Sequence, residues 1–200
     1  MRAIRLWLIG LLVLLLASCA SAPTQEMADA RSAIRAAEQV GAAPYAAEQM
    51  NEAQAALSGA EVNLALGDYS KAKDWALLAR DKASEALLIA QAIQEAEQAA
   101  NAANSMGYLP IQVEVLLREA RSLVTEDPDQ AILDAQLATK LADEAVNQGE
   151  LERAEAELRV CKAHGSAAQH VLRQVRSYLD AHKGSAALDA LHAVCPSKRR

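Results

Sequence analysis

The chain has 200 residues, with 20 basic against 26 acidic side chains and a formal net charge of −6. An acidic surface of this kind is a poor ligand for nucleic acid or for anionic lipid head groups. Phe is absent and aromatic residues make up 3% of the chain, too few for the bulky aromatic-lined pockets that small ligands favour.

The first residues carry Arg2 and Arg5, an apolar run follows from Leu6 to Leu16 broken only by Gly10, and then comes Leu16-Ala17-Ser18-Cys19. A basic start, a short apolar stretch and a small-residue cut site are the parts of a secretory signal, here residues 1–18. The stretch is too short to cross a ~30 Å hydrocarbon core, which takes about 20 apolar residues. Leu-Ala-Ser-Cys resembles the lipobox of bacterial lipoproteins. The resemblance implies that the Cys19 thiol receives a diacylglycerol, that cleavage frees its amine for a third chain, and that residues 19–23 are a lipidated tether. Two or more acyl chains hold a protein stably at a bilayer where one does so marginally. Ala20 and Ser21 follow, with no Asp; among lipoproteins this implies delivery to the outer membrane, facing the periplasm. No later apolar stretch approaches 18 residues, so no other segment is expected to span.

After the tether, Ala, Leu, Glu, Gln and Lys dominate, residues that lose little side-chain entropy in a helix. The first helix is expected over residues 24–40, stopped by Gly41 and Pro44. A second runs over 46–66 with its seam on Met50, Ala53, Leu57, Ala60 and Leu64, the 3-4 spacing of a packed face. A third, over 69–106, has its seam on Ala72, Ala76, Ala79, Ala83, Ala86, Ala90 and Ile93. At 1.5 Å per residue it would be roughly 55 Å long. The fourth covers 111–124. The fifth starts at Pro128, with Ala131, Ala135, Ala138, Ala142 and Ala145 along one side and Gly149 and Gly165 bracketing its second half. Two shorter helices follow, near 167–181 and 185–194. No stretch alternates with period two. The reading is an all-α, elongated antiparallel helical bundle with long Ala-rich helices. Small seams let helix backbones approach closely; each Ala buries little area, so Leu, Met, Ile and Trp at the flanks must supply stability.

An approximate internal repeat accompanies this. Gly41-x-x-Pro44 matches Gly107-x-x-Pro110 at an offset of 66, and Ala72, Ala76, Ala79 and Ala83 match Ala131, Ala135, Ala138 and Ala142 at 59. Between them the match is loose: Ala53 falls on Glu119, and the nearest echo of Ala53-x3-Leu57 is Ala120-x2-Leu123. The lost seven residues amount to two helical turns, which keeps the seam in phase. The expected organisation is one helical unit over 24–106, a second over 107–150 sharing the third helix, and C-terminal helices over 151–200.

Ala36-Ala37-x3-Gly41, Tyr45-Ala46 with Met50 following, Ala53-x3-Leu57-x2-Ala60 and Gly67-Asp68-Tyr69-x2-Ala72-x6-Ala79 resemble the "domain of unknown function 4398" family over residues 30–100. The family places Pro after Tyr-Ala; here Ala47 stands there and Pro44 precedes Tyr45. The resemblance implies an envelope lipoprotein. Members either stand alone or precede a peptidoglycan-binding domain of the outer-membrane protein A type, which does not follow here.

All four His and both remaining Cys lie after residue 160. An even pair in an oxidising compartment is expected to form a disulfide between Cys161 and Cys195. The sharper alternative is zinc: Cys161-x2-His164 and His192-x2-Cys195 are mirror-image pairs, each with both ligands on one helix face. His170 and His182 read as surface or helix-face residues, and the basic Lys198-Arg199-Arg200 tail as a solubility feature. Ser166 and His170 lie four apart, but no acid is placed to orient the His and no Gly-rich oxyanion turn adjoins. No catalytic residue and no cofactor are expected.

The sequence thus points to a non-enzymatic helical interaction or assembly module, anchored through acyl chains on Cys19 and docking an envelope protein or a second copy of itself. The alternatives are a structural envelope spacer contacting peptidoglycan and a Cys/His metal-binding protein.

Overall fold

The computed structural model describes residues 22–161 and 166–195; the signal segment, Cys19, His164 and the Lys198–Arg200 tail lie outside the described residues. Among those described, the chain is all-α, with seven helices and no strand: α1 (Thr24–Gln39), α2 (Ala47–Ala65), α3 (Tyr69–Ser105), α4 (Ile111–Leu123), α5 (Pro128–Val160), α6 (Ser166–Asp180) and α7 (Gly184–His192). None is long and apolar enough to cross a membrane.

Glycine ends the first three helices by one device. Gly41, Gly67 and Gly107 adopt φ of +69°, +77° and +78°, the left-handed conformation that only glycine enters without a Cβ penalty. In each case the glycine N–H and the next N–H turn back onto the last helical turn: Gly41 to Glu38 and Ala42 to Ala37, Gly67 to Leu64 and Asp68 to Asn63, Gly107 to Asn104 and Tyr108 to Ala103. These bonds satisfy carbonyls the helix end would leave orphaned. A fourth such stop, at the end of α6, uses His182 at φ +54°, with His182 N–H on Leu179 and Lys183 N–H on Tyr178. His182 is therefore a turn residue, not a helix-face one. Replacing it by Gly is expected to stabilise the protein by about 1 kcal/mol, the cost of a left-handed L-residue, read as a raised urea midpoint.

The chain divides into two compact units inside α3, between Ala90 and Gln91, whereas the sequence pattern puts the boundary after that helix. The reason lies in the partners: the N-terminal half of α3 packs on α1 and α2, and the residues beyond 90 group with the later helices. The C-terminal helices belong to the second unit.

In the first unit, Met27, Ala30, Ala56, Ala60, Ala76 and Ala79 form one buried cluster, flanked by Leu57 and Leu64. Helices α1 and α2 run in opposite senses, as the pairs Arg31–Glu61 and Glu38–Gln54 require. Ion pairs also tie Lys73 to Glu26 and Lys82 to Glu52. In the second unit the buried row of α5 begins as expected, on Ala131, Ala135, Ala138 and Ala142. Ala145 departs from it and is only half-buried. Gly149, Leu151 and Ala154 take over. Gly149 does not stop the helix; α5 runs through it because the Tyr108 ring occupies the space its side chain would fill.

The repeat is clearer in space than in sequence. At an offset of 66, buried Met27, Ala30, Ile34 and Ala37 correspond to buried Ile93, Ala96, Ala100 and Ala103. The Asp68 and Asp127 side chains, 59 apart, cap the helices after them by accepting the N–H of Lys71 and of Gln130. For the middle helices the structure corrects the alignment. The offset is 60, which pairs Ala53 with Val113, Leu57 with Leu117, Ala60 with Ala120 and Leu64 with Val124, all inward-facing. Helix α2 has 19 residues and α4 has 13. Six residues are therefore lost before the shared seam begins and one in the following turn, so no excision of two turns within a helix is needed.

Candidate functional site: a C-terminal cysteine pair and an apolar groove

Cys161 follows the last turn of α5 and Cys195 follows α7. The structure brings the two to disulfide distance, with Cα atoms 5.8 Å apart. Around them Ala154, Val175, Ala187, Leu188 and Leu191 are buried, and Leu158, Val171, Leu172 and Tyr178 pack against these. Joined as a disulfide, the two sulfurs have no thiolate to offer a metal. His192 points elsewhere, its Nε2 lying 2.9 Å from the Glu157 carboxylate. Among the described residues no three His, Cys, Asp or Glu side chains gather as metal ligands would. His170 is exposed on α6.

Glu157 also accepts a hydrogen bond from Arg153 at 2.9 Å. Burial raises its pKa, but the hydrogen bonds from Arg153 and His192 outweigh burial and hold the carboxyl below the ordinary value of 4.5. A depressed carboxylate stabilises the fold above its unfolded pKa and loses that contribution as pH falls through the folded value. Urea midpoints measured from pH 7 to pH 3 are expected to fall less steeply below about 4.5 in Glu157→Gln than in the parent.

The second feature lies between α4 and α5. Val113, Leu117 and Ala120 of α4 are buried together with the α5 alanines. Because the inward row of α5 is made of Ala, its larger residues fall outside: Leu133 is 56% and Leu137 46% exposed. Across from Leu137 on α4, Ile111 is 76% and Val115 39% exposed. Between the helices runs an open groove of about 530 Å³, lined by Ile111, Gln112, Val115, Leu116, Leu137 and Leu141. Gln112 is the one polar residue of that lining. Sequence reasoning placed the alanines on the seam, as found, but missed this surface because it expected the large residues flanking the seam to be covered and to supply stability.

Residues 25–105 match the model of a family described as Domain of unknown function (DUF4398). The match spans α1, α2 and α3 and ends before both the groove and the cysteine pair. No curated protein and no solved structure matches the chain.

Proposed function

We propose that this protein, whose residues 25–105 form a DUF4398-like region, is an outer-membrane lipoprotein that faces the periplasm and acts as a non-enzymatic helical interaction module. The observation that carries the reading is the α4–α5 groove. It is an open groove of about 530 Å³ lined almost wholly by apolar side chains, the kind of concave apolar surface that binding sites use. The address rests on Leu16-Ala17-Ser18-Cys19 and on a cysteine pair at disulfide distance, which suits an oxidising compartment.

Two experiments test it. Labelled palmitate is expected to enter the parent and not Cys19→Ser; label in both would remove the lipoprotein reading. A photo-crosslinking residue at Leu137 in the intact envelope is expected to trap one protein partner. Recovery of peptidoglycan fragments and no protein would replace the interaction module by a structural spacer.

A further inference from the structure

We infer that the α4–α5 groove receives an amphipathic helix of another protein, whose leucine-type face is flanked by lysine or arginine. The inference rests on the interaction-module reading and names the chemistry of its partner.

The molecule contains its own comparison. Under the internal repeat, Leu137 of the groove corresponds to Leu78, Leu141 to Lys82, Gln112 to Glu52, Val115 to Ala55 and Ile111 to Asn51. In the first unit this surface is closed by charge: Lys82 Nζ lies 2.9 Å from Glu52 and 3.3 Å from Glu85. The hydrogen bond that Lys82 donates to Glu52 holds its ammonium above its usual pKa, against its partial burial. An open apolar groove is thus not a by-product of the repeated architecture. It belongs to the second unit, where the ion pair has given way to Leu141 and Gln112.

Shape and charge then define the occupant. Leu137 and Leu141 lie at i, i+4 along α5, and Ile111 and Val115 at i, i+4 along α4, two apolar rows lining one groove as a helix-in-groove seat requires. One helical turn from the lining residues stand the carboxylates Glu114, Glu119, Asp134 and Glu144 and the cations Arg118 and Lys140. Lys140 is already drawn to Glu144, at 3.9 Å. Among the described residues, neither Glu114 nor Glu119 has a cation within ion-pair distance. The rim is therefore left with an excess of negative charge, which favours a partner with basic flanks and repels one with acidic flanks. Within this chain α6 carries such chemistry, with Arg173 and Arg176 beside its apolar side. That side is spent on Ala154, Val175, Leu188 and their neighbours, which argues against a second copy as the occupant.

The test uses two labelled synthetic helices of about 14 residues, both with leucines at 3-4 spacing, one flanked by Lys and one by Glu, titrated into the purified protein by fluorescence anisotropy. The Lys-flanked helix is expected to bind about tenfold more tightly at low salt, and the gap to shrink near 0.5 M salt as screening sets in. Leu137→Glu is expected to weaken it by about tenfold or more, while Leu78→Glu, at the equivalent exposed position of the first unit, leaves it unchanged. Circular dichroism confirms that both variants keep their helices. Equal binding of the two peptides, an unaffected Leu137→Glu, an equal loss in Leu78→Glu, or self-association in place of peptide binding overturns the proposal. Failure of both peptides while the envelope crosslink from Leu137 traps a protein partner sinks this inference alone; failure of both experiments sinks the interaction-module reading with it.

Discussion

Reducing the oxidised Cys161–Cys195 pair, or replacing both cysteines by Ala, is expected to lower the stability of the second unit by about 4 kcal/mol. The bridge joins residues 34 apart, and the entropy that closing a loop that long removes from the unfolded chain gives that figure. The packing explains why the loss is felt there. Helices α6 and α7 have 15 and 9 residues, lengths at which an isolated helix in water is marginal. Their hold on α5 comes from one small cluster around Val175, Leu188 and Leu191 and a few polar ties, His192 to Glu157 and Asn147 to Gly184 and His182. Without the bridge, α6 and α7 are expected to undock before the rest of the unit melts. Urea denaturation followed by circular dichroism, with and without a reductant, measures it. A lower midpoint with a separate early phase is the expected result; superimposable curves from the oxidised and reduced protein would show that the pair contributes nothing to stability.

Gly184→Ala is expected to cost about 3 kcal/mol, more than any surface substitution on the same helix. Gly184 is the first residue of α7 and lies directly on α5. A Cβ there would stand 2.6 Å from the Glu150 Cβ, 2.7 Å from the Asn147 carbonyl oxygen and 3.0 Å from the Leu151 nitrogen. Two of those atoms are helix backbone and have no rotamer by which to move aside, so α7 itself must shift. That shift would also break the Asn147 clamp, in which the side-chain oxygen accepts the Gly184 N–H at 3.0 Å and the side-chain nitrogen donates to the His182 carbonyl at 3.1 Å. Overpacking of this sort costs about 1–3 kcal/mol, and each lost hydrogen bond about 1 kcal/mol. The thermal midpoint of the variant measures the loss, and an unchanged midpoint would mean that α7 can retreat without penalty. Gly59 offers a contrast, because its nearest neighbour is the Trp75 ring at 3.1 Å, a side chain able to tilt.

Most of the helices were legible because their signals are local. The glycines at 41, 67 and 107 mark three ends, Asp68 and Asp127 mark two starts, and the 3-4 spacing of alanine marks the buried side of α3 and α5. What escaped detection depends on distance in space. Why a glycine stands at 149 inside a continuing helix is not legible until Tyr108 is seen to fill the place of its side chain. The α2–α4 register is hidden because Ala53 answers to Val113, and because most of the shortening precedes the seam and leaves no phase to follow. The groove is hidden for a deeper reason. The alanine seam locates the inward side of α5 correctly, but helical periodicity does not say which of the large residues flanking that seam a neighbouring helix will cover. Close helix approach selects Ala for the interior there and leaves Leu133 and Leu137 in the solvent.

The two repeats differ in one more respect. Arg31 of α1 pairs with Glu61 of α2 at 2.8 Å, and Glu97 of α3 pairs with Arg121 of α4 at 2.7 Å; under the repeat Arg31 corresponds to Glu97 and Glu61 to Arg121. The same bridge is built twice with its poles exchanged. A newly made chain holds two helix pairs with nearly interchangeable alanine seams, the circumstance in which repeated segments trap one another in wrong combinations. Exchanged poles give the correct pairings a signature. If α1 were to collapse onto α4, Arg31 would meet Arg121; if α2 were to settle against the second half of α3, Glu61 would meet Glu97. Each mistaken embrace sets like charges face to face, and each true one sets opposites, so the inverted bridge works as a key that tells otherwise similar helices apart while the chain is still finding its partners.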